Sequence, residues 1–172
     1  MHRFVTARLL ILIGILLTLE YSFSSLFSPL RGRADLLYLI VLDYAFFWSW
    51  EAVPFFAFGI GLLRDFAGGH LFGIETASLT ATGVLLYPVV QKLDRENFWV
   101  RIVMSFLFVW LTEILSISLG RGLEISKGLS GEFMGDVFWT ALYTTALAPL
   151  FFRLTHLWFK RIPALKQYEL FR

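Results

Sequence analysis

Charged residues are few in this chain, and they cluster in short stretches that separate long apolar segments. Lys, Arg, Asp and Glu make up 16% of the 172 residues, whereas 58% of the chain is apolar and 18% is aromatic. A soluble domain usually has about 25% charged residues. So few charges cannot form a water-facing surface around so much Phe and Leu. The sequence therefore predicts an integral membrane protein and excludes a soluble enzyme, a disordered chain and a disulfide-stabilised secreted domain.

The apolar segments have the length of membrane-crossing helices. A helix that crosses a hydrocarbon core about 30 Å thick needs roughly 20 apolar residues. The stretch 34–67 would be about 51 Å long as one helix, too long for a single crossing, and it is interrupted at Trp48–Glu51 and by Pro54. The glycine-rich stretch 120–135 is predicted to be a loop. We therefore predict an all-α integral membrane protein, one polytopic domain over 1–172, with six transmembrane helices at about 7–27, 35–49, 53–66, 73–91, 98–119 and 136–158.

The distribution of Lys and Arg indicates how these helices are oriented. With six crossings and a cytoplasmic N-terminus, ten of the 15 basic residues lie inside. A five-crossing arrangement with an external N-terminus divides them in the same ratio, so charge counting leaves the number of crossings open. The length of the 34–67 stretch favours six. Both arrangements place the 91–101 linker and the C-terminal tail in the cytoplasm, and six crossings place both termini there.

Residues that usually carry cofactor chemistry are scarce. The chain has no Cys, and its three His residues, His2, His70 and His156, are far apart. We therefore predict neither a cofactor nor a metal site. The net charge of +2 is what cytoplasmic Lys and Arg leave in a membrane protein, so we expect no nucleic-acid binding.

Several ionisable side chains fall inside the predicted helices, where insertion of each costs roughly 2.5–3.5 kcal/mol. Two interpretations apply. In one, these groups are transport or proton-relay carboxylates. In the other, which we favour, they are protonated or hydrogen-bonded groups that hold helices together. The intramembrane candidates are Glu20, Asp43, Glu75 and Glu113.

The densest group of ionisable side chains surrounds a glycine-rich turn and consists of Arg64, Asp65, His70 and Glu75. As an enzyme site it would offer an acid, a base and a metal ligand, but it lacks a nucleophile and paired ligands at helical spacing. We therefore expect no catalytic residues. Asp65 is instead expected to accept hydrogen bonds from N–H groups of the turn and of the helix that follows it.

Small residues recur every four positions around this turn, a spacing that lets helix backbones approach closely. Two series share it: Gly69, Gly73, Ala77 and Ala81, and Ala57 and Gly61. We expect most of these residues to pack the third and fourth predicted helices against each other. The alternative is a docking face for a partner.

Residues 58–77 resemble the signature of the MreD family of bacterial rod-shape-determining membrane proteins. The family pattern is a G-L-L-x-D core, a small-residue turn, a Leu-Gly-like pair and a helix that opens with small residues. These elements fall on Gly61, Leu62, Leu63, Asp65, Gly68, Gly69, Phe72, Gly73 and Ala77. Phe72 replaces the commoner leucine, and the charge pair Arg64–Asp65 is not general in the family.

This resemblance implies a non-enzymatic component of the cell-elongation machinery in the bacterial inner membrane. Such proteins work with MreC, the actin-like MreB, the glycosyltransferase RodA and its partner transpeptidase, and they direct lateral peptidoglycan synthesis and rod shape. The helical fold of the family resembles that of the substrate-binding subunits of energy-coupling-factor transporters. Membrane lipid is a further expected partner.

The shared fold leaves one alternative function, a substrate-binding membrane subunit of a vitamin or metabolite transporter. That class docks on its transport partner through small residues spaced four apart on the first helix. In the corresponding stretch 9–17 only Gly14 is small. The first predicted helix therefore argues against the transporter.

Overall fold

The computed structural model describes residues 13–15, 18, 34–68, 72–94, 97–122 and 131–159. Their long helices are α1 (Leu36–Phe47), α2 (Ala52–Gly68), α3 (Ile74–Lys92), α4 (Phe98–Gly122) and α5 (Gly131–Phe159). None of the described residues lies in a β-strand, so the predicted all-α class is confirmed. The first predicted helix and Glu20 lie outside the described residues, except for 13–15 and 18, which are helical.

Local signals mark the break between the first two of these helices. The chain leaves α1 at Trp48, which is extended, and α2 begins at Ala52 with Pro54 in its first turn. Proline is tolerated there because the first N–H groups of a helix have no partner within it. The predicted interruption of the 34–67 stretch is therefore present.

The glycine-rich segment contains less loop than the predicted range 120–135. Helix α4 continues to Gly122, and α5 begins at Gly131. The prediction is wrong at both ends because a helical glycine costs only about 1 kcal/mol, which tertiary contacts readily outweigh. Gly120, for example, is buried, and a Cβ added there would lie 3.7 Å from Ile74 Cδ1.

Helix α1 lies at the centre of the bundle. All residues from Leu37 to Asp43 are buried, and α1 packs against each of the other four helices. A helix that is apolar around its whole circumference is expected to be surrounded by protein in this way. Its 12 residues span about 18 Å, well short of a bilayer core about 30 Å thick.

The outside of the bundle carries large apolar side chains. Trp99 on α4, Leu150 on α5 and Phe55 on α2 are 72%, 68% and 80% exposed. Within the described ranges, two helical segments are long and apolar enough to cross a membrane, Phe98–Gly120 and Met134–Thr155. They belong to α4 and α5, which pack against each other.

Helices α2 and α3 make a close backbone contact. A Cβ added to Gly61 would lie 2.5 Å from Thr76 Cα, so the two backbones touch at this point. One to two turns farther along, Gly83 packs against Ala57 and Val53. The α2 series Ala57 and Gly61 therefore packs helix on helix, as expected, and it holds the end of α2 beside the start of α3.

Candidate functional site

Asp65 connects the end of α2 to the start of α3. Its Oδ2 accepts hydrogen bonds from the N–H of Gly73 (2.9 Å) and Thr76 (3.1 Å), and its Oδ1 accepts one from the N–H of Glu75 (3.1 Å). The Thr76 hydroxyl also donates to Oδ2. These N–H groups begin a helix and have no partner within it, and a negative charge is favoured at that end. The role expected of Asp65 is therefore present in the structure.

The turn before α3 depends on one glycine. Gly73 has a φ of +100°, a conformation that side-chain-bearing residues rarely adopt. It directs the chain into α3 so that the N–H groups of Gly73, Glu75 and Thr76 face Asp65. On the outside of the turn, the rings of Phe66 and Phe72 meet edge to face, 4.6 Å apart. Phe72 thus takes part in closing the turn.

Arg64 lies on the buried side of the same turn. Its Nη2 is 2.8 Å from Asp35 Oδ1, and its Nε is 3.4 Å from Glu75 Oε2. The guanidinium also covers the ring of Tyr38, 4.3 Å from the centroid. Only 5% of Arg64 is exposed. A charge buried this deeply is tolerated when it is paired and hydrogen-bonded, and two carboxylates and an aromatic face supply those partners.

Glu75 extends the cluster to α1 and α4. Its Oε2 accepts a hydrogen bond from the Tyr38 hydroxyl at 2.6 Å, and its Oε1 accepts one from the Ser116 hydroxyl at 3.2 Å. Glu113 Oε1 lies 3.4 Å from the same Tyr38 hydroxyl. Two of the predicted intramembrane carboxylates, Glu75 and Glu113, therefore meet at one phenol.

Asp35 ties the cluster to α5. It precedes α1 and is fully buried. Its N–H donates to Thr144 Oγ1 at 2.9 Å, and the Thr144 hydroxyl donates to the Thr140 carbonyl at 2.7 Å. The polar cluster, defined as Asp35, Tyr38, Arg64, Asp65, Glu75 and Glu113, therefore receives side chains from the start of α1, from α2, α3 and α4, and contacts α5.

Asp43 belongs to a separate place in the bundle. It is buried on α1, five residues beyond Tyr38, beside Thr155 and Arg101. The Arg101 guanidinium lies 5.3 Å from the centre of the Phe152 ring. The four predicted intramembrane acids are thus not one site: Glu75 and Glu113 meet, Asp43 is apart, and Glu20 is outside the described residues.

Sequence reasoning missed Asp35 and Tyr38. Neither belongs to a local motif, and Asp35 is 29 positions from its partner Arg64. The usable signal was their spacing of three, which places Asp35, just before α1, on the same side as Tyr38 in the first turn of α1. His70 and Gly69 lie outside the described residues, so the predicted approach of His70 to this cluster is not described.

The small residues of α3 lie elsewhere than expected. Ala77 is exposed, and Gly73 and Ala81 are half-buried. The expectation that this series packs inside the bundle is wrong for Ala77. Thr76 faces Asp65 and Gly61, and this contact turns the neighbouring Ala77 outward, because successive helical residues point about 100° apart.

The orientation of α3 that turns Ala77 outward leaves an open groove on the surface of the bundle. It has a volume of about 660 Å³ and runs along α3 beside Phe58 of α2. We call it the α3 groove. Its walls are small or apolar: Phe58, Gly73, Thr76, Ala77, Thr80, Ala81, Val84 and Leu85. Leu62 is half-buried and Leu63 is 38% exposed, and neither residue lines the groove.

The hydrogen bonds and ion pairs of the polar cluster hold helices of the bundle together. They connect the start of α1 with α2, α3 and α4, and the Tyr38 hydroxyl lies 2.6 Å from Glu75 Oε2 and 3.4 Å from Glu113 Oε1. No group of three His, Asp or Glu side chains within the described ranges is placed to hold a metal ion. Comparison with protein-family models, curated proteins and solved structures found no match to this chain.

Proposed function

We propose that this protein is a non-catalytic component of the bacterial cell-elongation complex, resident in the inner membrane. It directs lateral peptidoglycan synthesis, and hence rod shape, by binding an MreC-like protein. MreB, RodA and the transpeptidase partner of RodA belong to the same assembly. The proposal begins from the resemblance of residues 58–77 to the MreD signature, and the geometry of that segment supports it.

Residence in a membrane is supported by the two long apolar segments and by the large side chains that surround them. The shorter helices fit this environment because α1 is enclosed by its neighbours. In the proposed arrangement six helices cross the bilayer, with both termini in the cytoplasm. The connection between α1 and α2 and that between α3 and α4 then lie on the cytoplasmic side, and the polar cluster lies toward the other side.

The observation that carries the proposal is that residues 58–77, which we call the signature segment, have two faces with different surroundings. On its inner face, Asp65 caps α3 through hydrogen bonds, and Arg64 forms an ion pair with Asp35. Its outer face is the α3 groove. Small side chains let a second helix approach closely, which is how helices associate where burial of apolar surface from water provides no driving force. The α3 groove therefore suits the transmembrane helix of an MreC-like partner.

Site-specific photocrosslinking tests this docking. A photoreactive phenylalanine analogue is placed at Phe58 or Ala81 in the groove, and at Val103 on α4 as the matched control. Phe58 and Val103 are similarly exposed, at 50% and 54%. We expect adducts with the MreC-like protein from the groove positions and not from Val103. Equal crosslinking from both faces, or none from the groove, would contradict the proposal.

Depletion of the protein separates the elongation function from the transporter alternative. We expect depleted cells to become round without acquiring a nutrient requirement. Rod-shaped cells that need an added vitamin would contradict the elongation function, and so would a small ligand that copurifies with the protein and whose loss reproduces the phenotype.

A further inference from the structure

A second groove opens at the other end of the bundle from the polar cluster. It lies between the first turns of α4 and the part of α5 that follows Pro149, and its volume is about 640 Å³. We call it the arginine groove. Two guanidinium-bearing residues, Arg101 and Arg153, line it together with apolar side chains, among them Phe98, Ile102 and Leu150.

The two arginines have different surroundings. Arg101 is half-buried, near Asp43, with its guanidinium between 5.3 and 5.9 Å from the ring centres of Phe152, Phe47 and Phe46. Its position is therefore held by the fold. Arg153 is exposed and has no hydrogen bond or ion pair within the part of the chain that the structure describes. The groove thus combines a half-buried cation with an exposed one.

The apolar wall of the groove is open to the surroundings. Leu150 is 68% exposed and Phe98 is 53% exposed. Trp99 beside them, and Trp48 and Trp50 at the same end of the bundle, are also exposed. Tryptophans of this kind mark the boundary between hydrocarbon and water. The arginine groove therefore lies across that boundary, with cations beside a surface suited to hydrocarbon.

We infer that the arginine groove binds an anionic phospholipid of the cytoplasmic leaflet. Its phosphate lies between Arg101 and Arg153, because guanidinium groups bind phosphate through two parallel N–H···O bonds. One acyl chain follows Ile102 and Leu150. Basic pockets between helices on the cytoplasmic side are suited to acidic headgroups. A water-soluble anion would leave the apolar wall uncovered. The inference rests on the membrane residence in the proposed function and does not depend on the MreC-like partner.

Native mass spectrometry of the purified full-length protein tests the inference. The probes are dioleoyl phosphatidylglycerol and, as the neutral comparison, dioleoyl phosphatidylcholine. We expect R153Q to weaken retention of phosphatidylglycerol by about tenfold, the effect of losing one charge-assisted contact. The matched control is K92Q, which removes an exposed cation at the same end of the bundle but outside the groove. It should bind as the unmodified protein does.

Two results would overturn the lipid site: R153Q and K92Q binding phosphatidylglycerol alike, or glycerol phosphate displacing the lipid at equal concentration. The second result would assign the groove to a free phosphate. Extraction of the cell membranes with alkaline carbonate is measured first. Release of the protein by carbonate would contradict membrane residence itself, whereas an integral protein with unchanged binding in R153Q would contradict the lipid site alone.

Discussion

The Asp65 carboxylate accepts four hydrogen bonds, three from backbone N–H groups and one from a hydroxyl. No neighbouring side chain within the described turn duplicates it. Arg64, the next residue back along the chain, serves a different purpose, because it neutralises carboxylates that come from other helices. Two adjacent charged residues thus make one local and one long-range contribution to the same end of the bundle.

Replacing Asp65 by Ala removes the cap of α3 and leaves buried N–H groups without acceptors. Loss of a cap costs about 0.5–2 kcal/mol, and each buried donor left unsatisfied adds about 1–3 kcal/mol. We expect D65A to lower the thermal unfolding midpoint in detergent and to reduce accumulation in membranes, with D65N intermediate. Glu51→Ala, at an exposed position, is the control. An unfolding midpoint for D65A equal to that of the control would exclude a capping role.

The pair Arg64 and Glu75 is suited to a double-mutant cycle. Removing one partner of a buried ion pair typically costs about 3–5 kcal/mol, because the other charge remains buried alone. We expect R64Q and E75Q each to be strongly destabilising. The double variant should lose less than the sum of the two by about 0.5–3 kcal/mol. Denaturant unfolding measures all four proteins, and strict additivity would show that the two groups do not interact.

At the scale of the helices, α2 and α3 form the most extensive pair among the five helices α1 to α5. Their separation is set by Gly61, where the two backbones touch, and their relative rotation is set by Thr76, which binds Asp65. Both contacts are made by Thr76, with Gly61 and with Asp65, which lie about one helical turn apart on α2. The same rotation exposes Ala77 and creates the α3 groove, so the packing of the signature segment and its proposed docking function have a common origin.

Two glycines on α2 provide a matched test of this packing. G61A places a methyl group 2.5 Å from Thr76 Cα, and relief requires the helices to move apart. We expect a loss of about 1–3 kcal/mol. G59A meets nothing within 4 Å and lies within the same helix, so it should stabilise by about 0.4–1 kcal/mol. Thermal unfolding compares the two, and similar midpoints would contradict close contact at Gly61.

For the whole molecule, the arrangement has two chemically different ends. One holds the polar cluster and the turn before α3, and the other holds the arginine groove and the exposed side chains of Trp48, Trp50 and Trp99. Because α1 is short and enclosed, the hydrogen bonds and ion pairs of the polar cluster connect the start of α1 with α2, α3 and α4 at one place in the bundle. In the proposed orientation the first end faces away from the cytoplasm and the second faces it.

Cysteine accessibility tests that orientation, because the natural chain contains no Cys and gives no background. Phe72 and Glu51 are exposed near opposite ends of α2. We expect Phe72→Cys to react with a membrane-impermeant maleimide in intact cells, and Glu51→Cys to react only after lysis. Reaction of both variants in intact cells would contradict the six-crossing arrangement.

Much of the helical layout was predictable from the sequence because its causes are local. An apolar run, a proline and a glycine-rich turn mark where helices begin and end, and α1 to α5 follow the predicted ranges except beside the glycines of 120–135. The cap at Asp65 was predictable for the same reason, since its donors lie 8 to 11 positions away along the chain.

Only the tertiary structure decided which distant groups meet. Asp35 and Arg64, Tyr38 and Glu113, and Arg101 and Arg153 are brought together by helix packing. In a bundle, side chains far apart in sequence become neighbours according to the rotation of each helix, and a change of one residue in register moves a group to another face. The sequence by itself therefore determined an all-helical chain with a capped turn between α2 and α3. The packing determined the polar cluster, the outward face of Ala77 and the arginine groove.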